Sequence, residues 1–184
     1  MEILDICDER GLPTGKTIER AEAHRRGILH RTAHVWVVRR REDRWEILLQ
    51  KRAQNKESFP GMFDTSSGGH IPTGAEPLDS ALRELEEELG IRARPEQLAY
   101  AGHFRSQYEA VFYGAPFRDN EYTRVYVYRE PVEISGLRLQ TEEVEEVRWF
   151  DLEAVREEIR TSRERICVPG DGLAVLTDYL NREA

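Results

Sequence analysis

The chain has 184 residues, of which 34% are charged and 39% hydrophobic, and its formal net charge is -8. This length predicts one domain with a buried core, and the acidic balance disfavours a nucleic-acid duplex as partner because contact with its phosphates requires a basic surface. The acidic N-terminus lacks the basic start of a secretory signal, and no apolar run approaches the roughly 20 residues that span a bilayer, so we expect a cytoplasmic protein that does not enter a membrane.

The first part of the chain predicts a short N-terminal extension followed by a hairpin. "MEILDICD" has the composition of a strand, "DERGLPTG" that of a turn, and "TIERAEAHRRG" that of a helix that ends at Gly27. "RTAHVWVVRR" and "RWEILLQKR" predict two long strands joined by a charged tip. Residues 53 to 63 are expected to form a loop, and "FDTSSGG" predicts a short strand that enters a glycine turn.

The most regular predicted element is a helix over residues 77 to 89. Pro77 stands at a favoured first position and Gly90 at a common stop, and leucines repeat at helical spacing between them. "LAYAGHFRS", "YTRVYVYR" and "EEVRWFD" predict later strands. Asp151 and Asp171 are expected to cap helices over residues 152 to 160 and 172 to 181. Strands and helices that do not alternate regularly predict an α/β fold, with helices flanking a mixed sheet.

The helix over residues 77 to 89 concentrates acidic residues in "RELEEELG". At about 100° per residue, Glu84, Glu87 and Glu88 share one face, whereas Glu86 points nearly opposite Glu84. Like charges repel one another, and a divalent cation reverses that repulsion; Mg²⁺ prefers oxygen ligands and commonly binds carboxylates together with substrate phosphates. The helix alone leaves the alternative of a solvated acidic face open.

The glycine turn and the acidic helix together resemble the Nudix box, Gly-x5-Glu-x7-Arg-Glu-U-x-Glu-Glu-x-Gly-U, in which U is a bulky aliphatic residue. Eight of the nine defined positions match within residues 69 to 91: Gly69, Arg83, Glu84, Leu85, Glu87, Glu88, Gly90 and Ile91. The exception is Ala75. The family usually has a glutamate at this position that helps to hold the loop and helix of the box, and here Glu76 follows one residue late.

The resemblance implies an α/β/α sandwich and hydrolysis of a diphosphate linkage by water. It implies one or more Mg²⁺ ions, or Mn²⁺, bound by Glu84, Glu87 and Glu88, with the backbone carbonyl of Gly69 as a further ligand. One carboxylate would act as the general base, and we assign this role to Glu87 or Glu88. The chain would form a single Nudix domain, with an N-terminal extension over residues 1 to 30 and C-terminal helices over residues 151 to 184.

Outside the box, about residues 3 to 150 are similar to type I isopentenyl-diphosphate isomerase and its related hydrolases. "DERGLPTG", "KRAQNKESFPGMFDTSSGGH" and "DNE" occur in the matching order. The resemblance implies a second divalent ion, and imidazole with carboxylate ligands suits Mn²⁺ or Zn²⁺; the matching residues are His24, His30, His70, Asp119 and Glu121. It also implies that a phosphorylated small-molecule substrate contacts Arg52 and Lys56, with Lys51 and Arg20 as neighbouring candidates.

The sequence favours hydrolysis and leaves two alternatives open. The isomerase needs a cysteine just before its Gly-His pair, but this chain has Gly68 there, and Cys7 and Cys167 lie far away in sequence. The leading prediction is therefore a hydrolase of a nucleoside di- or triphosphate or another small diphosphate. The alternatives are an isomerase of isopentenyl diphosphate and a catalytically weak binding domain, which Ala75 suggests. Loops such as residues 104 to 121 and the C-terminal helices are expected to select the group attached to the diphosphate.

Overall fold

A computed structural model describes residues 1–183. Its strands, in chain order, are β1 (Ile3–Cys7), β2 (Pro13–Glu19), β3 (His30–Arg41), β4 (Arg44–Arg52), β5 (Phe63–Asp64), β6 (Ser67–His70), β7 (Leu98–Phe112), β8 (Ala115–Tyr128) and β9 (Val144–Asp151). Its α-helices are α1 (Arg20–Arg26), α2 (Pro77–Leu89), α3 (Leu152–Thr161) and α4 (Gly170–Arg182). None of the helices in these residues has the length and apolar character needed to cross a bilayer.

Strand β3 is the centre of the sheet. Its first half pairs antiparallel with β6, its second half pairs antiparallel with β4, and β8 runs parallel to it from His30 to Val37. β4 also pairs with β5 and β9, β8 pairs with β7, and β1 links β2 to the start of β3. This mixture of parallel and antiparallel pairs confirms the predicted mixed sheet.

Alternate side chains of β3 enter two separate hydrophobic cores, because successive residues of a strand point to opposite faces of the sheet. Trp36 and Val38 pack in the core that contains the apolar residues of α3 and α4. Val35 and Val37 pack in the core that contains the leucine stripe of α2. The sheet therefore lies between two helical layers, which confirms the α/β/α sandwich.

Local sequence signals set the ends of three helices as predicted. Gly27 and Gly90 stop α1 and α2 with φ of 67° and 72°, in the left-handed region that glycine adopts without a steric penalty. The Asp151 carboxylate accepts a hydrogen bond from Ala154 N at 2.9 Å and caps α3.

Three predicted elements were wrong, and tertiary pairing explains two of them. Residues 13 to 19 form β2 because they pair with β1, whereas residues 13 to 15 were expected in a turn and residues 17 to 19 in a helix. Residues 104 to 121 do not form a loop, since they continue β7 and β8 into one long hairpin. Asp171 lies inside the first turn of α4, which begins at Gly170 after Pro169, so it is not the capping residue.

Candidate active site

A cavity of about 710 Å³ lies where α2, β6 and the β7–β8 hairpin meet, a volume in the range of small-molecule sites. Carboxylates of α2 line one wall, and histidines of α1 and β6 line another. The third wall is aromatic: Phe59 and Tyr108 have ring centroids 5.9 Å apart, and Phe117 stacks on His24 at 4.4 Å. The cavity is thus bordered by acidic, imidazole and aromatic groups together.

Glu88 is the most deeply buried carboxylate of the acidic helix. The residue is only 6% exposed, and its Oε2 accepts hydrogen bonds from Gln50 Nε2 at 3.0 Å and from Gly68 N at 3.1 Å. Burial raises the pKa of Glu88 to about 7, although these hydrogen bonds oppose the change. A rigid, poorly solvated carboxylate therefore faces the cavity.

Glu84 lies one turn earlier on α2 and packs against Gly69. A Cβ atom on Gly69 would stand 2.4 Å from Glu84 Cδ, so a larger residue at this position would displace the Glu84 carboxylate. Arg83 Nη2 donates to Glu84 Oε1 at 2.6 Å. Burial raises the pKa of Glu84 to about 7, opposed by the charge of Arg83 and assisted by that of Glu87.

The remaining two glutamates of the helix point in different directions. The Glu87 side chain is 52% exposed and borders the cavity, with its carboxylate 3.9 Å from Arg83 Nη1. Glu86 accepts a hydrogen bond from Arg92 Nε at 2.7 Å and does not border the cavity. The helix therefore brings Glu84, Glu87 and Glu88 together and leaves Glu86 outside, as its geometry predicted.

A second cluster forms from four separate elements. His24, His30, His70 and Glu121 each offer one ligand atom, and these atoms all lie within 4.8 Å of one another. Sheet pairing assembles the cluster, because β3 places His30 opposite Glu121 of β8, and β6, which carries His70, is the other neighbour of β3. Asp119 lies at its edge, with Oδ1 4.0 Å from His24 Nδ1.

The ring nitrogens of this cluster are incompletely hydrogen-bonded. His30 Nδ1 donates to the Ile28 carbonyl at 2.7 Å, and His24 Nε2 lies 3.0 Å from His70 Nε2. Within residues 1–183, His30 Nε2 and His24 Nδ1 are buried without a hydrogen-bond partner. Because buried polar atoms in folded proteins are nearly always paired, these two nitrogens fit a role as ligands better than a role in a finished core.

Burial and mutual charge set the ionisation of the cluster. Burial, together with the charge of the neighbouring His70, lowers the pKa of His24 to about 3. Burial likewise raises the pKa of Asp119 to about 8, assisted by the charge of Glu121. Burial alone would raise the pKa of Glu121, but the imidazoles of His30 and His70, whose Nε2 atoms lie 3.6 Å and 3.5 Å from its Oε1, hold it well below its usual value.

Each of the four predicted phosphate contacts is already paired with a carboxylate. The pairs are Arg20 with Glu2 at 3.3 Å, Lys51 with Glu145 at 2.8 Å, Arg52 with Asp64 at 3.0 Å, and Lys56 with Glu143. Arg20, Arg52 and Lys56 border the cavity, whereas Lys51 does not. A phosphate would therefore have to share these cations with the protein's own carboxylates.

Sequence reasoning missed three residues that shape the cavity. Gln50 orients Glu88. The signal in the sequence that could have indicated this residue was a polar amide at the end of the apolar run "ILLQ". His34 occupies the space beside Gly68, where a Cβ atom would stand 2.7 Å from His34 Cδ2. Cys167 also borders the cavity despite its distance in sequence, and burial raises the pKa of its thiol well above the usual value.

Comparison with known proteins gives one consistent family. Residues 29–167 match the family model described as the NUDIX domain. A Nudix hydrolase of Clostridium acetobutylicum is 39% identical over 143 residues, covering 78% of this chain and 66% of that protein. Nudix hydrolase 3 of Arabidopsis thaliana is 38% identical over 157 residues, covering 84% of this chain but only 20% of that protein.

Related enzymes and structures extend this picture. Isopentenyl-diphosphate Delta-isomerase of Cereibacter sphaeroides is 30% identical over 148 residues, covering 80% of this chain and 78% of the isomerase. A crystal structure of a Deinococcus radiodurans protein has a TM-score of 0.68 at 18% identity, covering 96% of this chain and 98% of that one. An Ap4A hydrolase of C. elegans has a TM-score of 0.57 at 22% identity, covering 83% and 98%. The match to the NUDIX domain model and the 39% sequence identity to a Nudix hydrolase show that the chain belongs to the Nudix family of hydrolases.

Proposed function

We propose that this protein is a Mg²⁺-dependent hydrolase of a diphosphate linkage in a small phosphorylated substrate, such as a nucleoside di- or triphosphate. The observation that carries this proposal is the buried Glu88 carboxylate, which borders the cavity together with Glu84. Two carboxylates held close together with little solvent repel each other, and a divalent cation offsets that repulsion. We also propose that residues 1–183 act as one domain, since β1 pairs with β3 and α4 packs in the core beside Trp36.

The donors around the acidic wall fit Mg²⁺, which prefers oxygen ligands. They are the carboxylates of Glu84, Glu87 and Glu88, with the backbone carbonyl of Gly69. When bound, the ion neutralises phosphate oxygens and lowers the pKa of a water molecule. Arg83 and Gln50 hold two of the carboxylates in orientation.

The acidic wall also provides the general base for the attacking water. The water oxygen attacks phosphorus, the bond from phosphorus to the bridging oxygen breaks, and the bridging oxygen leaves with the departing phosphate. Glu87 or Glu88 accepts the proton of the attacking water. Glu87 is the more exposed of the two and exchanges protons with solvent more readily.

The histidine cluster supports a second divalent ion, Mn²⁺ or Zn²⁺, bound by His24, His30, His70 and Glu121 with Asp119 nearby. The buried nitrogens His24 Nδ1 and His30 Nε2, which lack hydrogen-bond partners within residues 1–183, fit such an ion. Metal analysis of protein purified without chelator is expected to find a stoichiometric transition ion or Zn²⁺. Metal-free protein that also binds neither Mn²⁺ nor Zn²⁺ would contradict this second site.

Substrate phosphates would lie near the cations that border the cavity. Arg52 is fixed by Asp64 and by Ser58, whose carbonyl accepts from Arg52 Nε at 2.9 Å. Arg20 and Lys56 have one carboxylate partner each, in Glu2 and Glu143, and a bound diphosphate would compete with these carboxylates for the two cations. Lys51 stands outside the cavity, so its role as a phosphate contact has less support.

Isomerisation of isopentenyl diphosphate is the alternative that the isomerase relative favours. Glycine at position 68 has no titratable group, and a side chain there would clash with the His34 ring unless the ring shifted. Cys167 brings a thiol to the cavity, but its Sγ lies 3.4 Å from the Phe63 carbonyl, to which it donates. Hydrolysis therefore has the stronger support.

The decisive experiment is a screen of nucleotides, other diphosphates and isopentenyl diphosphate with Mg²⁺ or Mn²⁺, scored for phosphate products and for isomerised product. Glu88→Gln should lower kcat by about 10²–10⁴-fold. Glu86→Gln is the matched control, since Glu86 lies on the same helix outside the cavity, and it should keep wild-type kcat. Isomerised product would favour the isomerase. No turnover of any compound, with wild type equal to Glu88→Gln, would favour a binding domain.

A further inference from the structure

A buried ion pair from outside the box holds the loop that leads into α2. Asp5 of β1 accepts hydrogen bonds from Thr73 Oγ1 at 2.9 Å and from Gly74 N at 3.0 Å. Arg31 of β3 donates from Nη2 to Asp5 Oδ2 at 2.9 Å and to the Ala75 carbonyl at 3.3 Å. Asp5 and Arg31 are only 8% and 7% exposed. Together the two side chains contact three consecutive residues of the loop.

Backbone contacts strengthen the same attachment. Thr73 N donates to the Ile3 carbonyl at 2.9 Å, and Ile71 N donates to the Arg31 carbonyl at 3.0 Å. Leu4 forms an isolated bridge with Pro72. The loop over residues 71 to 75 is therefore attached to β1 and to β3, and Asp5 supplies the carboxylate in these contacts.

This loop joins both groups of candidate metal ligands. It starts after Gly69 and His70, which belong to the two sites, and it ends at α2, which carries Glu84 and Glu88. Position 75, where the box pattern has a carboxylate, is alanine. Glu76 precedes α2 but makes no capping hydrogen bond with its side chain. In this chain the carboxylate beside the loop therefore comes from β1.

We propose that Asp5, held by Arg31, is a positioning residue for the metal-binding wall and takes the place of the carboxylate that the box lacks at position 75. The N-terminal strand is then part of the machinery of the site. This role rests on the proposed function for its effect on hydrolysis, whereas metal affinity and the protection of the loop amides test it independently of turnover. A purely structural ion pair would change stability without changing metal affinity.

The test compares Mn²⁺ binding, hydrogen exchange and Mg²⁺ activation in wild type, Asp5→Asn and Asp8→Asn. Loss of a group that orients metal ligands is expected to raise the Kd for Mn²⁺ by roughly 10–100-fold, and amide exchange over residues 71 to 76 should accelerate. Asp8 is the matched control, because among residues 1–183 its carboxylate accepts hydrogen bonds only from Arg10 N and Leu12 N in its own exposed turn. Asp8→Asn should bind Mn²⁺ like wild type.

A second variant separates positioning from folding. Asp5→Val combined with Arg31→Met removes both buried charges, so no unpaired guanidinium remains to unfold the protein. This double variant should melt close to wild type and still bind Mn²⁺ more weakly. Wild-type Mn²⁺ affinity and loop protection in both Asp5→Asn and the double variant would overturn the proposal.

A third variant tests whether Asp5 replaces the carboxylate of position 75. Ala75→Glu added to Asp5→Asn returns a carboxylate to the neighbourhood of Arg31, which already contacts the Ala75 carbonyl. Recovery of most of the lost Mn²⁺ affinity supports the equivalence, and no recovery overturns it. If Mn²⁺ affinity follows these expectations while no variant hydrolyses any diphosphate, the positioning role stands and the proposed function fails.

Discussion

Gly68 and His34 occupy adjacent space beside the cavity, and this contact controls which side chain the position accepts. A Cβ atom on Gly68 would stand 2.7 Å from His34 Cδ2, well inside any real contact. We expect Gly68→Cys to lower the free energy of unfolding by about 1–3 kcal/mol, the usual effect of overpacking, and not to produce isomerase activity. Urea denaturation measures the free energy of unfolding, and a product assay with isopentenyl diphosphate measures isomerase activity. Gly136→Ala is the control, because a Cβ atom on Gly136 would meet nothing within 4 Å in residues 1–183; equal stability of the two variants would contradict the steric account.

The pKa of the buried Asp5 carboxylate determines how the free energy of unfolding changes in acid. Burial alone would raise the pKa of Asp5, but hydrogen bonds from Gly74 and Thr73 and the charge of Arg31 outweigh it and leave the pKa below its usual value. A lowered pKa in the folded state stabilises the protein above the unfolded pKa of about 3.9, and this contribution disappears as the pH falls through the folded pKa.

The measurement is the free energy of unfolding of wild type and Asp5→Asn across a pH series. Near pH 7 we expect wild type to be more stable by up to about 3 kcal/mol, since the variant leaves Arg31 without its charged partner. The difference should stay level down to about pH 5 and shrink below about pH 4. A difference that grows in acid would show that Asp5 is not ionised in the folded protein.

At the scale of the elements, a glycine turn and the segment after it define the C-terminus of α2. Gly90 ends the helix with φ of 72°, and a Cβ atom there would stand 2.9 Å from Arg138 Cβ. The next segment continues the attachment, because Gln140 N donates to the Glu88 carbonyl at 3.0 Å. The helix therefore ends in a turn whose backbone conformation and packing both favour glycine.

Gly90→Ala is expected to lower the free energy of unfolding by more than about 1 kcal/mol, because alanine is strained at a positive φ and would contact Arg138. Chemical denaturation measures the change. Gly15→Ala is an informative companion, since Gly15 also has a positive φ, of 81°, but open space around it among the residues that the structure describes. If both variants lose the same free energy, backbone strain alone accounts for the effect and the contact with Arg138 contributes nothing.

Elements with strong local signals were predicted well, and elements that depend on distant partners were not. Proline and glycine fix both ends of α2 from sequence alone. The sequence of β2 does not predict a strand, and the segment forms one because β1 provides backbone partners for it. The β7–β8 hairpin likewise extends through residues 104 to 121, where each strand provides the backbone partners of the other.

For the whole molecule, binding of a divalent cation should raise thermal stability. A ligand that binds only the folded state stabilises it by about 2.7 kcal/mol at a concentration 100-fold above its Kd. We expect Mg²⁺ added to chelator-treated protein to raise Tm in wild type and in Glu86→Gln. The increase should be clearly smaller in Glu88→Gln, which lacks one of the proposed ligands. Calorimetry with matched ionic strength tests this, and equal increases in all three proteins would indicate a general salt effect.

The sequence by itself determined the acidic helix, the glycine turn and the matching histidines, because these depend on helical spacing and on the order of short motifs. Only the tertiary structure decided which side chains meet. The Nε2 atoms of His24 and His70 lie 3.0 Å apart although the two residues are 46 positions apart in sequence. Cys167 reaches the cavity from the C-terminal segment, and Asp5 reaches the loop of the box from the first strand. The physical reason is that strand pairing and burial bring together residues that are far apart in sequence, and no local pattern records those contacts.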